Sequence, residues 1–197
     1  SNICGENMGA VNSLLEFYKR LKISTRDYIP GHKKPVTYEQ IINAKVKPSW
    51  YNSYNLEEIA KMIQIMIIRL FKKNNNITLW GFKEIRYDGI NGNHIEYMNE
   101  FIELFPQTKI IIQIRENTAQ QAKSDWFAKD RSSSAYLKKY NKKLYDFYNS
   151  HKEVCYFTTF ERMFDMVNMR KIFSFIGCEK EFYEEKIKQV LENNLKD

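Results

Sequence analysis

The sequence predicts an α/β fold, a parallel sheet flanked by helices on both faces. Three observations carry that prediction. Short apolar runs alternate with amphipathic helical patterns along the whole chain. The runs are separated by helix-length segments, as parallel strands require. Two of the runs stop on a cation, Lys83 and Arg115, and in such sheets ligands sit at the carboxyl ends of the strands. With 197 residues, the chain reads as one domain spanning 1–197, large enough to bury a core.

Taken in order, Val11, Leu14, Leu15, Tyr18 and Leu21 recur at helical spacing and give a first helix beginning just after Glu6. Residues 23–54 break the pattern, with Pro30, Pro35 and Pro48 marking loops. Asn55 and Glu58 have capping-box spacing and open a helix whose apolar face is Ile59, Met62, Ile63, Met66, Ile67 and Leu70. The run "ITLWGF" is a strand leading into Lys83. Ile95, Met98, Ile102 and Phe105 form a helix stopped by Pro106, and residues 108–114 form the next strand. A helix starts near Asn117 or Thr118, and a more polar one covers about 133–149, packing through Tyr136, Tyr140, Leu144 and Phe147. "EVCYFTT" is a strand, residues 160–176 are helical in one or two pieces closed by Gly177, and 180–195 is a last helix.

Composition narrows the class. A hydrophobic content of 43% and 15% aromatics belong to a globular protein. The net charge of +7 favours an acidic partner. The cysteines, Cys4, Cys155 and Cys178, are too few and scattered for a disulfide framework, and no Cys/His spacing suggests zinc. No apolar run approaches a membrane span and no signal peptide is visible, so a cytoplasmic location is expected.

Candidate chemistry gathers in a few places. Arg115 at a strand end and Ser124 on the following helix suit a shared phosphate, the first with a forked charged contact, the second with a neutral donor. Lys83 suits charge on a transferring group, and Glu6 suits a general base for a hydroxyl. Each has a structural alternative: a surface arginine with a helix serine, a lysine solvated beside Glu84, and a carboxylate placed for the helix macrodipole. The lysines of "YLKKYNKKLYDFY" read as a solvated face. In the long segment 23–54, His32, Lys33, Lys34, Trp50 and Tyr51 are the expected acceptor contacts.

In this order, the segments resemble sulfotransferases that use 3′-phosphoadenosine-5′-phosphosulfate (PAPS), chiefly bacterial and glycan-type members. "CGEN" has a local likeness to tyrosylprotein sulfotransferases. "FPQTKIIIQIRENTAQQAKSDWF" is similar to the family's 3′-phosphate segment, and "GFKE" to its strand-end lysine segment. "YFTTFERMFDMVNMRKIFSFIGCE" resembles its closing strand, turn and helix. The resemblance runs from about residue 3 to residue 190 and implies a P-loop-like sulfotransferase fold. The family's glycine-rich phosphosulfate loop, typically R-x-G-[ST]-x, does not occur here, so an N-terminal strand and loop are expected before Ser1. Arg115 and Ser124 stand one residue further apart than in many relatives.

Carried over by position, the resemblance implies Glu6 as general base, Lys83 beside the transferring sulfuryl group, and Arg115 with Ser124 on the 3′-phosphate. The implied donor is PAPS, with no metal. The implied partner is a small-molecule or glycan acceptor, with no nucleic acid and no membrane span. Two other readings stay in view. A P-loop-type nucleotide kinase needs a Walker lysine and magnesium carboxylates, which the sequence does not show. A non-catalytic nucleotide- or nucleic-acid-binding module is compatible with the basic charge.

Overall fold

The computed structural model describes residues 2–27, 43, 54–84, 94–123 and 134–194. His32, Lys33, Lys34, Trp50, Tyr51 and Ser124 lie outside the described residues. The chain is α/β and forms two compact units, residues 1–106 and 107–197. Each is built on a two-stranded parallel sheet.

In the first unit, β1 (Asn2–Cys4) pairs in parallel with β2 (Trp80–Phe82), Asn2 opposite Trp80 and Cys4 opposite Phe82. Between them lie α1 (Ala10–Asp27) and α2 (Leu56–Phe71), and α3 (His94–Leu104) follows. The Asn55 side chain caps α2 by accepting from the Glu58 N–H, as its spacing predicts, and the Glu58 carboxylate returns to the Asn55 side-chain amide. The apolar face of α2 is turned from the expected one. Ile63, Ile67 and Phe71 are buried, whereas Met62, Met66 and Leu70 are exposed. The cause is the aromatic cluster under the sheet. Phe71 stacks on Phe82 at 4.5 Å, Phe82 meets Phe101 edge-on, and Phe101 stacks on Phe105. Burying each side chain of the Ile63, Ile67 and Phe71 row contributes roughly 1.5–3 kcal/mol, so that row wins the inner position.

The face of α3 turns similarly, burying Tyr97, Met98, Phe101 and Leu104. Its acidic side meets α1. Lys19 pairs with Glu96, and Lys22 Nζ reaches Glu100 at 2.6 Å and Glu103 at 2.9 Å. Burial alone pulls the Lys22 pKa down, but these two carboxylates outweigh it and raise it.

In the second unit, β3 (Ile110–Ile114) pairs in parallel with β4 (Cys155–Thr159) through five register pairs, from Ile110 opposite Cys155 to Ile114 opposite Thr159. A short helix, α4 (Thr118–Ala122), follows β3 and is capped by Asn117. Helix α5 (Ser134–Ser150) returns to β4 and buries Leu137, Leu144 and Phe147. Tyr136, expected in that stripe, is exposed and stacks along the helix on Tyr140. After β4 the chain makes a 3-10 turn, Phe160–Phe164, then α6 (Met166–Phe175) and α7 (Glu184–Asn194). The break between turn and α6 is Asp165, whose carboxylate accepts from the Val167 N–H. Gly177 ends α6 with φ +76°, the left-handed conformation that stops helices.

Candidate functional site

The candidate residues of the first unit sit where β1 and β2 end. The ladder continues one step past the last register pair, because the Lys83 N–H donates to the Cys4 carbonyl at 2.9 Å. Lys83 is thereby set beside Gly5, and its side chain leaves the sheet next to that of Glu6. Lys83 Nζ lies 3.7 Å from Glu6 Oε1. This is ion-pair distance without a hydrogen bond. The lysine side chain is 66% exposed and the glutamate 27%, so the cation reaches solvent while the carboxylate is partly sheltered. Glu84, the next residue along the chain, is buried.

Glu6 does not begin a helix, contrary to expectation. Helix α1 starts at Ala10, and the turn Gly5–Gly9 stands between. Asn7 does the capping, accepting from the Val11 N–H through its side chain and from the Ala10 N–H through its carbonyl. Met8 (φ 56°) and Gly9 (φ 80°) are both left-handed. Two such residues in succession reverse the chain between β1 and α1 and leave Glu6 on a tight loop, clear of the helix's first turn. A left-handed methionine is uncommon and costly. Nothing in "GENMGA" announced it, since methionine carries no turn preference.

In the second unit Arg115 follows β3 directly. It is half-buried, and its guanidinium lies over the Phe160 ring at 4.3 Å. Its carbonyl accepts from the Asn141 amide on α5 at 3.2 Å. Among the described residues no carboxylate forms an ion pair with Arg115. A sheltered guanidinium supported on an aromatic face and left without an acid suits an external anion.

The turn after Arg115 has an anchor that the sequence reading missed. The Glu161 carboxylate accepts from the Glu116 N–H at 3.1 and 3.3 Å and from the Asn117 N–H at 3.4 Å. Burial pushes the Glu161 carboxyl up, but the backbone N–H groups it accepts from outweigh that and hold it below the usual carboxylate range. Beneath it, Asn168 is 1% exposed. Its amide donates to the Thr158 hydroxyl and to the Arg162 carbonyl, and its oxygen accepts from the Tyr156 hydroxyl, each at 3.0 Å.

The structure therefore brings Glu6 and Lys83 together and places Arg115 at its strand end, while Ser124 and the acceptor candidates His32, Trp50 and Tyr51 lie outside the described residues. Among the described residues no helix is long and apolar enough to cross a membrane. No family model, curated protein or solved structure matches the chain.

Proposed function

We propose that this chain is a PAPS-dependent sulfotransferase acting on a hydroxyl of a small molecule or glycan. The observation that carries the reading is the meeting of Glu6 and Lys83. An acid and a cation, remote in sequence, share the carboxyl edge of two adjacent parallel strands at 3.7 Å, where ligands of such sheets sit. Arg115 adds support, as a sheltered cation without an acid partner among the described residues.

When bound, PAPS supplies the sulfuryl group and departs as 3′,5′-ADP. The chain's residues do the rest. Glu6 takes the proton from the acceptor hydroxyl as its oxygen bonds to sulfur. Lys83 faces the negative charge that gathers on the oxygen released from sulfur, much as cations do in phosphoryl transfer. Arg115 and Ser124 hold the 3′-phosphate. In this reading the two parallel pairs belong to a P-loop-like sulfotransferase fold. The acceptor contacts proposed are His32, Trp50 and Tyr51, and the compartment proposed is the cytoplasm, in keeping with three free cysteines.

Calorimetry with 3′,5′-ADP against 5′-ADP tests the reading on the full-length protein. Binding at least about tenfold tighter with the 3′-phosphate is expected, since charged contacts to a phosphate are worth more than one kcal/mol. Arg115→Ala is expected to erase that preference. Glu6→Gln is expected to abolish transfer while leaving 3′,5′-ADP affinity unchanged. Equal binding of the two nucleotides overturns the proposal, and full turnover by Glu6→Gln removes Glu6 as base.

A further inference from the structure

Two turns of chain meet after β3 and β4, and their chemistry is not used up by the donor reading. Arg115 and Phe160 are each one residue past the last register pair, Ile114 with Thr159. The guanidinium on the ring continues the register in side-chain form. One step further, Glu116 stands against Glu161, and here the contact is a hydrogen bond from backbone N–H to carboxylate. The Asn117 N–H adds to the same carboxylate. Residues 116 and 117 are thus tied to residue 161 by a charged acceptor, while the carbonyl of Arg115 is tied to Asn141.

We infer that Glu161 is a positioning residue for the phosphate-binding arginine: its carboxylate anchors the turn after β3 and so fixes the direction in which Arg115 is presented. The inference rests on the donor reading for the identity of the anion, and on the hydrogen bonds alone for the anchoring. A side chain that must meet a phosphate through two parallel N–H groups tolerates little rotation. Its backbone is held from both sides, by Asn141 through the carbonyl and by Glu161 through the next two amides. Glu161 is itself placed by the 3-10 turn, whose Arg162 carbonyl is fixed by the buried Asn168. Its depressed carboxyl keeps the anchor ionised at neutral pH.

Charge and position make opposite predictions. On charge alone, a carboxylate in this neighbourhood repels a phosphate, and removing it strengthens phosphate binding. As an anchor, its removal weakens binding. The experiment is calorimetry of 3′,5′-ADP and 5′-ADP on full-length wild type, Glu161→Ala, Glu161→Gln and Glu161→Asp, with amide hydrogen exchange at residues 116 and 117.

Glu161→Ala is expected to lower the affinity ratio between the two nucleotides about tenfold and to speed exchange at both amides. Glu161→Gln keeps an acceptor oxygen of the same reach and is expected to stay within about threefold of wild type. Glu161→Asp keeps the charge but shortens the reach, and is expected to fall with Glu161→Ala; it carries the test should the alanine variant not fold. A ratio unchanged or raised in Glu161→Ala or Glu161→Asp overturns the inference while the donor reading stands. A wild-type protein indifferent to the 3′-phosphate overturns the donor reading and this role with it, and is recognised before any substitution is made.

Discussion

Replacing Asn168 by alanine is expected to destabilise the second unit through lost hydrogen bonds rather than lost apolar packing. Asn168 is 1% exposed and Thr158 2%, so neither has water to turn to. The substitution deletes three hydrogen bonds at 3.0 Å, leaving the Thr158 hydroxyl without its donor and the Tyr156 hydroxyl without its acceptor, while the Arg162 carbonyl keeps the Asp165 N–H at 3.2 Å. The enclosed Thr158 hydroxyl costs about 1–1.5 kcal/mol, while the partly exposed Tyr156 hydroxyl can find water and the Arg162 carbonyl loses only one of two donors, so each of these costs less. A small cavity adds a fraction more. The expected loss is about 2 kcal/mol. Tyr156→Phe removes one bond only and is expected to cost about 1 kcal/mol. In the double variant the costs are expected not to add, because the tyrosine's partner has already gone. Urea titration of the three variants measures this, read as a shift of midpoint at constant slope. A loss under about 1 kcal/mol for Asn168→Ala, or full additivity with Tyr156→Phe, refutes the claim that this amide braces the turn.

Two further outcomes follow from the backbone and the thiols. Gly9 and Gly177 have φ of +80° and +76°, and a Cβ at either meets nothing within 4 Å. Alanine at each position therefore costs backbone strain and no clash, about 1 kcal/mol by thermal or urea unfolding, and the two costs are expected to be alike; a neutral result at either contradicts its left-handed placement. Burial pushes the Cys155 thiol from 9.0 up to about 11. At pH 8 a disulfide reagent is expected to label Cys4 and Cys178 well before Cys155, and equal rates count against the buried strand position. Because the folded state favours the neutral thiol, this group's contribution to stability is whole below about pH 9 and is lost as pH rises through about 11.

Element positions were legible where a local signal exists. Asn55 and Asn117 begin their helices as capping residues do, and Gly177 ends one. The orientation of helix faces was less legible. In α2, apolar residues cover so much of the circumference that periodicity does not select a centre, and the aromatic cluster around Phe71 and Phe82 selects it instead. Such a choice depends on residues far along the chain. The candidate site divides in the same way. Lys83 and Arg115 stood out because a cation ending an apolar run is visible in one dimension. Glu161 and Asn168 did not, because a glutamate after a strand and an asparagine inside a helix look like surface residues until their partners are known. Glu6 was singled out as a possible base, but its setting was misjudged, since the left-handed Met8 and Gly9 delay α1 to Ala10.

The two sheets solve the same placement problem with one device. Parallel pairing brings neighbouring strands to a common end with their residues in register. Whatever follows the last pair on one strand is then set against whatever follows it on the other. After Cys4 and Phe82 come Gly5 and Lys83, and because glycine offers no side chain, the lysine meets Glu6, one residue on. After Ile114 and Thr159 come Arg115 and Phe160, which stack, and then Glu116 and Glu161, where a backbone N–H donates to a carboxylate. Four short strands thus deliver a carboxylate and two cations to strand ends, and a single 3-10 turn adds the anchoring acceptor. The arrangement also explains why such distant residues act as pairs. A slip of one residue in either ladder separates its pair altogether, because it turns each side chain to the opposite face of the strand. The hydrophobic faces that lock the register, with Ile112 and Cys155 buried in the second unit, therefore hold the candidate chemistry in place as firmly as they hold the core.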